Sequence, residues 1–274
     1  MSANVATPDW LPFADRSRAL RVVYHYLPIA IFLLVWQFSV VFGVVDRAFL
    51  PSVGDTLAAL WDMTSNGEIA FNLWVTVYRA LVGLIIGSLL GVAIGVSMAT
   101  SRHANEFFGP LVAITYSLPK SSLVPLFLLW FGIGDVTNIL TVVLACLLPV
   151  IVSTYHGVKA VPPVVIWSAQ AMGTPPHVLV WRILLPCASL SIMTGVRIAL
   201  GFSFVLTISA EMIAAKVGIG KLIFLYGENG AYAHMFGGLL AVLIVAYIAD
   251  RLLLAAMNYF LRWNDSIHTA ARDA

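Results

Sequence analysis

Apolar runs of roughly 20 residues recur along this chain, and each is long enough to cross the ~30 Å hydrocarbon core of a bilayer as a helix. Hydrophobic residues make up 61% of the 274 positions and charged residues only 10%. Because so few charges cannot cover a soluble protein of this size, the sequence predicts an integral membrane protein. A β-barrel would show short alternating segments instead, so we predict an all-α fold, a polytopic helical membrane bundle.

About six transmembrane helices are predicted, with both termini in the cytoplasm. The spans are expected at 27–45, 73–100, 107–131, 136–155, 190–215 and 235–254. Basic residues lie at the ends that this arrangement places inside, as the positive-inside rule requires. The segment 1–26 has no small-residue cleavage site after a short apolar core, so we expect a cytoplasmic lead-in and not a cleaved signal peptide. The transmembrane domain is then 27–263, followed by a cytoplasmic tail, 264–274.

Two connecting segments are expected on the outer side. Between the first two spans, Pro51 and Ser52 precede apolar residues at helical spacing, which predicts an amphipathic helix at the membrane interface. The segment 216–234 contains glycines and charges of both signs, and it is predicted to be a loop.

Glycine recurs at every fourth position of the second span, at Gly83, Gly87, Gly91 and Gly95. Residues four apart share one helix face, and small residues there allow another helix to approach closely. The approaching helix is either another span of the same chain or part of a second subunit. Arg79 lies in the same span and must either reach outward or find a partner, because a charge in hydrocarbon is costly.

Three prolines interrupt the third span, and the polar residues near its middle are Ser117, Lys120 and Ser121. Proline leaves backbone carbonyls without partners, which a bilayer tolerates only beside protein or a wet cavity. One interpretation is that these residues line a central pathway, where a cation attracts an anionic or polar solute. The alternative is a lysine that reaches the interface or is paired inside the bundle.

The fifth span carries Arg197 and Glu211, which are too far apart to pair within one helix. Fourteen residues separate them, or about 21 Å along the helix axis. Either they contribute to the same pathway, or each forms a structural ion pair with another span.

A polar interruption at 157–186 is too long and too patterned to be a simple turn. We predict short cytoplasmic helices over about 160–186. A stand-alone channel or secondary carrier would use the same intramembrane charges but would have no reason to keep this segment.

Proline and glycine set the expected boundaries of these short helices. The first helix begins at a proline pair and ends at Gly173, since glycine is common just after a helix. Thr174 is predicted to cap the second helix, which runs through Arg182 to a stop at Pro186.

Catalytic and nucleotide-binding patterns are missing from the sequence. The segment 218–221 comes nearest to a phosphate-binding loop, but it lacks the first glycine, and Leu222 stands where Ser or Thr should hold magnesium. The six histidines show no pair at metal-ligand spacing, and the thinly spread basic residues give no sign of nucleic-acid binding. An intramembrane enzyme would need a catalytic constellation, so we predict a non-enzyme that itself binds no cofactor.

Two patterns resemble permease subunits of bacterial binding-protein-dependent ABC importers. Gly173, followed after nine residues by Ile-Leu-Leu-Pro ending at Pro186, is similar to their cytoplasmic signature. The wider pattern, which includes Leu-Pro-Lys at 118–120, Thr-Gly-Val-Arg at 194–197 and Ala-Glu-Met at 210–212, resembles the nitrate, sulfonate, taurine and bicarbonate branch. The resemblance covers about residues 50–263.

This resemblance implies the type I ABC importer permease fold in a bacterial inner membrane. It also implies a homodimer of permease subunits, two ATPase subunits that hold ATP and Mg²⁺, and a periplasmic or lipid-anchored substrate-binding protein. Membrane lipid surrounds the complex. The chain would then be a non-catalytic subunit, with ATP hydrolysis on a separate polypeptide.

The resemblance also indicates which residues contact the ATPase. Trp167, Ser168 and Ala169 stand where the family has Glu-Ala-Ala, and Gly173 with Arg182 and Pro186 completes the expected coupling region. The glutamate is replaced by tryptophan, so its polar contact does not carry over, while a rigid aromatic residue is suited to filling a cleft.

The expected cargo is a small solute, with anions of the sulfonate, taurine, nitrate or bicarbonate type first. A thiamine-precursor pyrimidine or another small organic solute is the alternative, since relatives carry these as well. A stand-alone channel or secondary carrier is the competing class of function.

Overall fold

The computed structural model describes residues 18–46 and 48–261, with side chains described from Leu27 onward. Regular structure in this part of the chain is entirely helical. The helices are α1 (Arg18–Val41), α2 (Val53–Ser65), α3 (Glu68–Thr100), α4 (Arg102–Ser117), α5 (Val124–Phe131), α6 (Asp135–Lys159), α7 (Pro163–Ala171), α8 (Pro176–Leu179), α9 (Leu185–Ala214), α10 (Ile219–Glu228) and α11 (Tyr232–Phe260). A 3₁₀ turn (Lys120–Leu123) precedes α5, and a π turn (Val180–Leu184) joins α8 to α9. The predicted segment 1–26 lies partly outside the described residues, and the tail 264–274 lies wholly outside them.

The glycine face of α3 packs directly on α6. Cβ atoms built at its four glycines would fall within 3 Å of side chains on α6, and the residues they meet are Val142, Cys146, Val150 and Thr154 in the same order. Both series step by four and rise together, so α3 and α6 are parallel. The prediction of a close helix contact is confirmed, and the partner is a span of the same chain.

Helix α9 runs antiparallel to α6 and completes the core. Gly195 of α9 lies against Ser153, whereas Gly157 of α6 lies against Ser191. The Cys146 thiol donates to the Ala199 carbonyl across the same interface. Small residues on both helices therefore bring the three backbones of α3, α6 and α9 together.

Within the described part of the chain, four helices are long and apolar enough to cross a membrane, namely α3, α6, the continuous rod Pro176–Ala214 and α11. Helices α4 and α5 form a pair bent by 95°. Since α3 and α6 run in the same direction, the chain must return across the bilayer between them, so this bent pair is a fifth crossing. The first predicted span lies in α1, which runs from Arg18 to Val41 and whose described side chains, from Leu27 onward, are mostly apolar.

The two outer segments differ in how well the sequence predicted them. Helix α2 forms as expected, and the Ser52 hydroxyl accepts from the Asp55 amide in a capping box. The prediction of a loop at 216–234 is wrong, because this segment contains helix α10, which is partly buried. Tyr226 on α10 donates to Glu68 Oε2 over 2.6 Å. Burial and the neighbouring carboxylates raise the pKa of Tyr226 to about 12, so it remains a donor.

Candidate functional site

Helix α7 ends in a Schellman motif, which explains the glycine at position 173. The Gly173 amide donates to the Gln170 carbonyl over 2.9 Å, and the Thr174 amide donates to the Ala169 carbonyl over 3.1 Å. Gly173 has φ of +78°, a conformation that side chains with a Cβ rarely adopt. The chain therefore turns sharply here, and the predicted end of the first short helix is confirmed.

The prediction of the second short helix is wrong at both of its ends. Pro175, not Thr174, is its N-cap, and no side chain caps it. The helix also does not stop at Pro186 but continues as α9. Proline has no amide hydrogen and crowds the carbonyl four residues before it. The preceding π turn, in which the Leu185 amide bonds the Val180 carbonyl, widens the helix at this point.

Bulky side chains project from this corner of the molecule. Trp167 is 64% exposed, Met172 79% and Trp181 72%. Among the other residues expected to contact the ATPase, Ser168, Arg182 and Pro186 are exposed, whereas Ala169 is buried against the bundle. We name the exposed side of α7 with the Gly173 turn the coupling face. Its exposed tryptophan and methionine are large apolar side chains, and aromatic residues such as tryptophan are common anchors of protein interfaces.

The break between α4 and α5 places Lys120 beside a cavity of about 320 Å³. Its Nζ donates to the Tyr116 carbonyl over 3.2 Å and lies 5.5 Å from the Tyr116 ring centre. Ser153 and apolar side chains such as Phe202 complete the lining. Ser117 and Ser121 are exposed, and neither is among the described residues that line this cavity.

Arg197 is paired with Asp250 of α11. Its Nε and Nη2 donate to the two carboxylate oxygens over 2.7 and 3.0 Å. The pair borders a second cavity, of about 640 Å³, on the α11 side of α9. Ile198 lines this cavity as well as the cavity beside Lys120. The structure thus places Arg197 at a different cavity from the one beside Lys120 and gives it a carboxylate partner.

Glu211 lies in a buried network with Arg79. Its carboxylate is fully buried and accepts from Arg79 Nη1 and Thr76 Oγ1, both over 2.8 Å, and from the Gly220 amide over 2.9 Å. Arg79 also donates to Asp135 at the start of α6. These contacts join α3, α6, α9 and α10 at one end of the bundle, and we name them the Arg79 network.

Sequence reasoning missed the partners in these pairs. Asp135 and Asp250 carry no local signal, because ion pairing between helices depends on packing that one sequence does not reveal. The two glycines around Ile219 were an available hint, since Gly218 and Gly220 have no room for a side chain beside Glu211. Within residues 18–46 and 48–261, no group of His, Cys, Asp and Glu side chains is arranged to hold a metal ion.

Comparison with known proteins matches residues 83–263 to the family described as binding-protein-dependent transport system inner membrane component. Two similar curated proteins come from Escherichia coli strain K12. One, named as an aliphatic sulfonates transport permease, SsuC, is 34% identical, and the match covers 91% of this chain and 94% of that protein. The taurine transport system permease protein TauC is 29% identical, with 87% and 89% covered.

The fold is also found among solved structures. An inward-facing conformation of the MetNI methionine ABC transporter contains a chain that superposes with a TM-score of 0.60 at 21% identity. The match covers 70% of this chain and 94% of that one. This similarity shows that the helical bundle has the permease architecture of an ABC importer.

Proposed function

The chain belongs to the family of binding-protein-dependent transport system inner membrane components, and from this premise we propose that it moves a small anion inward by ATP-driven alternating access. It is a multi-pass inner-membrane permease subunit of an ABC importer of the sulfonate and taurine type. Alternating access requires two states whose balance is shifted by a ligand or partner with different affinities for them.

The proposed complex contains two copies of this chain, two ATPase subunits and a substrate-binding protein. ATP and Mg²⁺ are held by the ATPases, since this sequence has no phosphate-binding loop. Both termini and the coupling face lie in the cytoplasm. Basic residues at that end of the spans, among them Arg102 and Lys159, support this orientation.

The coupling face is the observation that carries the proposal. The Gly173 turn joins α7 to the rod that begins at Pro176, and that rod is long and apolar enough to cross a membrane. A force applied to α7 would therefore reach α9 through the short Gly173 turn and then along the continuous rod Pro176–Ala214. A channel or secondary carrier has no ATPase partner and would not need this connection between α7 and a span.

The cargo proposed first is an organic anion. In the Lys120 cavity, one ammonium group faces mainly apolar walls that include Ile198 and Phe202. This combination suits a molecule with an acidic head and a short apolar body, such as an alkyl sulfonate. The name of SsuC agrees with that chemistry.

Copurification tests the proposed partnership. The full chain, tagged and extracted in mild detergent, should retain an ABC ATPase, and Trp167→Ala should weaken retention by at least tenfold. Removing an aromatic anchor from an interface typically costs about 2 kcal/mol or more, and about 1.4 kcal/mol is tenfold in affinity.

Trp61→Ala is the matched control, because Trp61 is 75% exposed on α2 at the opposite end of the bundle. That variant should retain the ATPase as the unmodified chain does. Equal loss in both variants, or no ATPase with the unmodified chain, would argue against the proposed coupling face.

A further inference from the structure

A groove of about 650 Å³ lies between α7 and the ends of α3 and α6. Its walls are mostly apolar and continue a small core of buried residues, among them Ala99, Val158 and Leu184. Ligand sites in proteins typically measure about 300–1,000 Å³. The groove is therefore large enough for part of a bound molecule, and its apolar floor makes water a poor occupant.

Two basic residues, Lys159 and His177, line the same groove and are exposed. Among the residues that the structure describes, neither takes part in an ion pair. Thr100 and Lys159 are the last residues of α3 and α6, so the groove lies where two spans leave the membrane. Basic groups at this level meet lipid headgroups, and basic clefts between spans recognise anionic ones.

The coupling face is on another side of α7. Pro163 and Ile166 line the groove, whereas Val164 and Trp167 lie outside its lining and are 65% and 64% exposed. A protein docked on Trp167 would thus contact a side of α7 that does not line the groove. This separation favours a lipid over a protein as the occupant.

We propose that the groove holds an anionic phospholipid, with its phosphate beside Lys159 and His177 and an acyl chain along the apolar floor. The bound lipid would fill the space under α7 and support the angle between α7 and the spans. This site does not depend on the cargo or on the partner ATPase.

Native mass spectrometry of the full-length chain in detergent tests the site. Phosphatidylglycerol and phosphatidylcholine with identical acyl chains are the two probes. The chain should retain about one more phosphatidylglycerol than phosphatidylcholine. Lys159→Ala should remove this excess, and Lys159→Arg should keep it. Lys216→Ala, at the other end of the bundle, is the control and should also keep it.

Thr100→Trp tests the apolar part of the groove, since it adds bulk at its edge without changing a charge. It should also abolish the excess of phosphatidylglycerol. Equal retention of the two lipids, unchanged binding in Lys159→Ala or in Thr100→Trp, or complete displacement by soluble glycerophosphate would overturn the proposal. Because the readout is lipid retained without ATPase or substrate, its failure is independent of any failure of the proposed function.

Discussion

Arg79 is a charged residue inside a span, yet its side chain is only 3% exposed. Glu211 and Asp135 accept from it, and the Val217 carbonyl accepts as well, over 2.8 Å. A buried ion pair adds little net stability, but removing one partner leaves an uncompensated charge. The Arg79 network therefore holds the helices that it joins in position but adds little to the net free energy of unfolding.

Glu211→Gln should destabilise the folded chain strongly. The substitution leaves Arg79 with a carboxylate only at Asp135, which is 59% exposed. Breaking one side of a buried pair costs about 3–5 kcal/mol. Thermal unfolding of the purified chain, followed by size-exclusion chromatography after heating, measures the effect.

Arg102→Gln is the control for this loss, because the Arg102–Glu106 pair lies on the surface of one helix. Pairs of that kind contribute about 0–1 kcal/mol. A Glu211→Gln chain as stable as the Arg102→Gln chain would show that the Arg79 network is not needed for folding. Glu211 would then be free for the pathway role that the sequence also allows.

Lys120→Ala should reduce anion uptake while the chain still folds, since Lys120 has no carboxylate partner among the described residues. A hydrogen bond to a charged group is worth about 1.5–3 kcal/mol, so uptake at low substrate concentration should fall about tenfold or more. Lys120→Arg should retain most of it, and Lys216→Ala should have no effect. Unchanged uptake in Lys120→Ala would remove this residue from the proposed pathway.

The contact between α3 and α6 shows how far a local pattern determines a helix pair. Glycine occupies every fourth position of α3 from Gly83 to Gly95, and each of these glycines meets a residue of α6 at the same spacing. The sequence contained the whole glycine face, so the close contact was predictable. Which helix fills it was not, because the partner residues have no distinctive pattern of their own.

Gly91→Ala should destabilise the chain, whereas Gly201→Ala should not. A Cβ at Gly91 would lie 2.8 Å from Val150 Cβ, but nothing lies within 4 Å of a Cβ at Gly201. Overpacking costs about 1–3 kcal/mol, and alanine otherwise favours a helix by about 1 kcal/mol over glycine. The same thermal assay distinguishes the two, and equal stability would contradict the packing described for α3 and α6.

The elements that the sequence did not predict correctly are those held by contacts between residues far apart in the chain. Helix α10 has the glycines and charges of a loop, and it is held by Glu211 accepting from the Gly220 amide and by Tyr226 donating to Glu68. Pro186 normally stops a helix, but a π turn before it keeps the rod continuous. The Gly173 turn, in contrast, is a local motif and was predicted correctly.

The described helices divide into those that form the packed core and those whose side chains are mostly exposed. Helices α3, α6 and α9 share a core with small residues at their contacts, and the Arg79 network ties them at one end. Helix α4 has no buried residue, and α7 has one. In the proposed complex, α4 and α7 are thus the elements whose positions depend on other subunits.

ATP-dependent uptake by the reconstituted complex tests most directly whether the chain imports its substrate with energy from a partner ATPase, coupled through the Gly173 turn. Liposomes would contain the full-length chain with the copurified ATPase and binding protein, and radiolabelled sulfonate uptake and ATP hydrolysis would be measured together. Uptake should require ATP. Gly173→Val should abolish uptake while ATP hydrolysis continues. Gly43→Val is the control, because Gly43 lies just after α1 and also has a positive φ, of +67°. This variant should preserve both uptake and hydrolysis. Uptake at the same rate without the ATPase, or normal uptake by the Gly173→Val chain, would contradict the account.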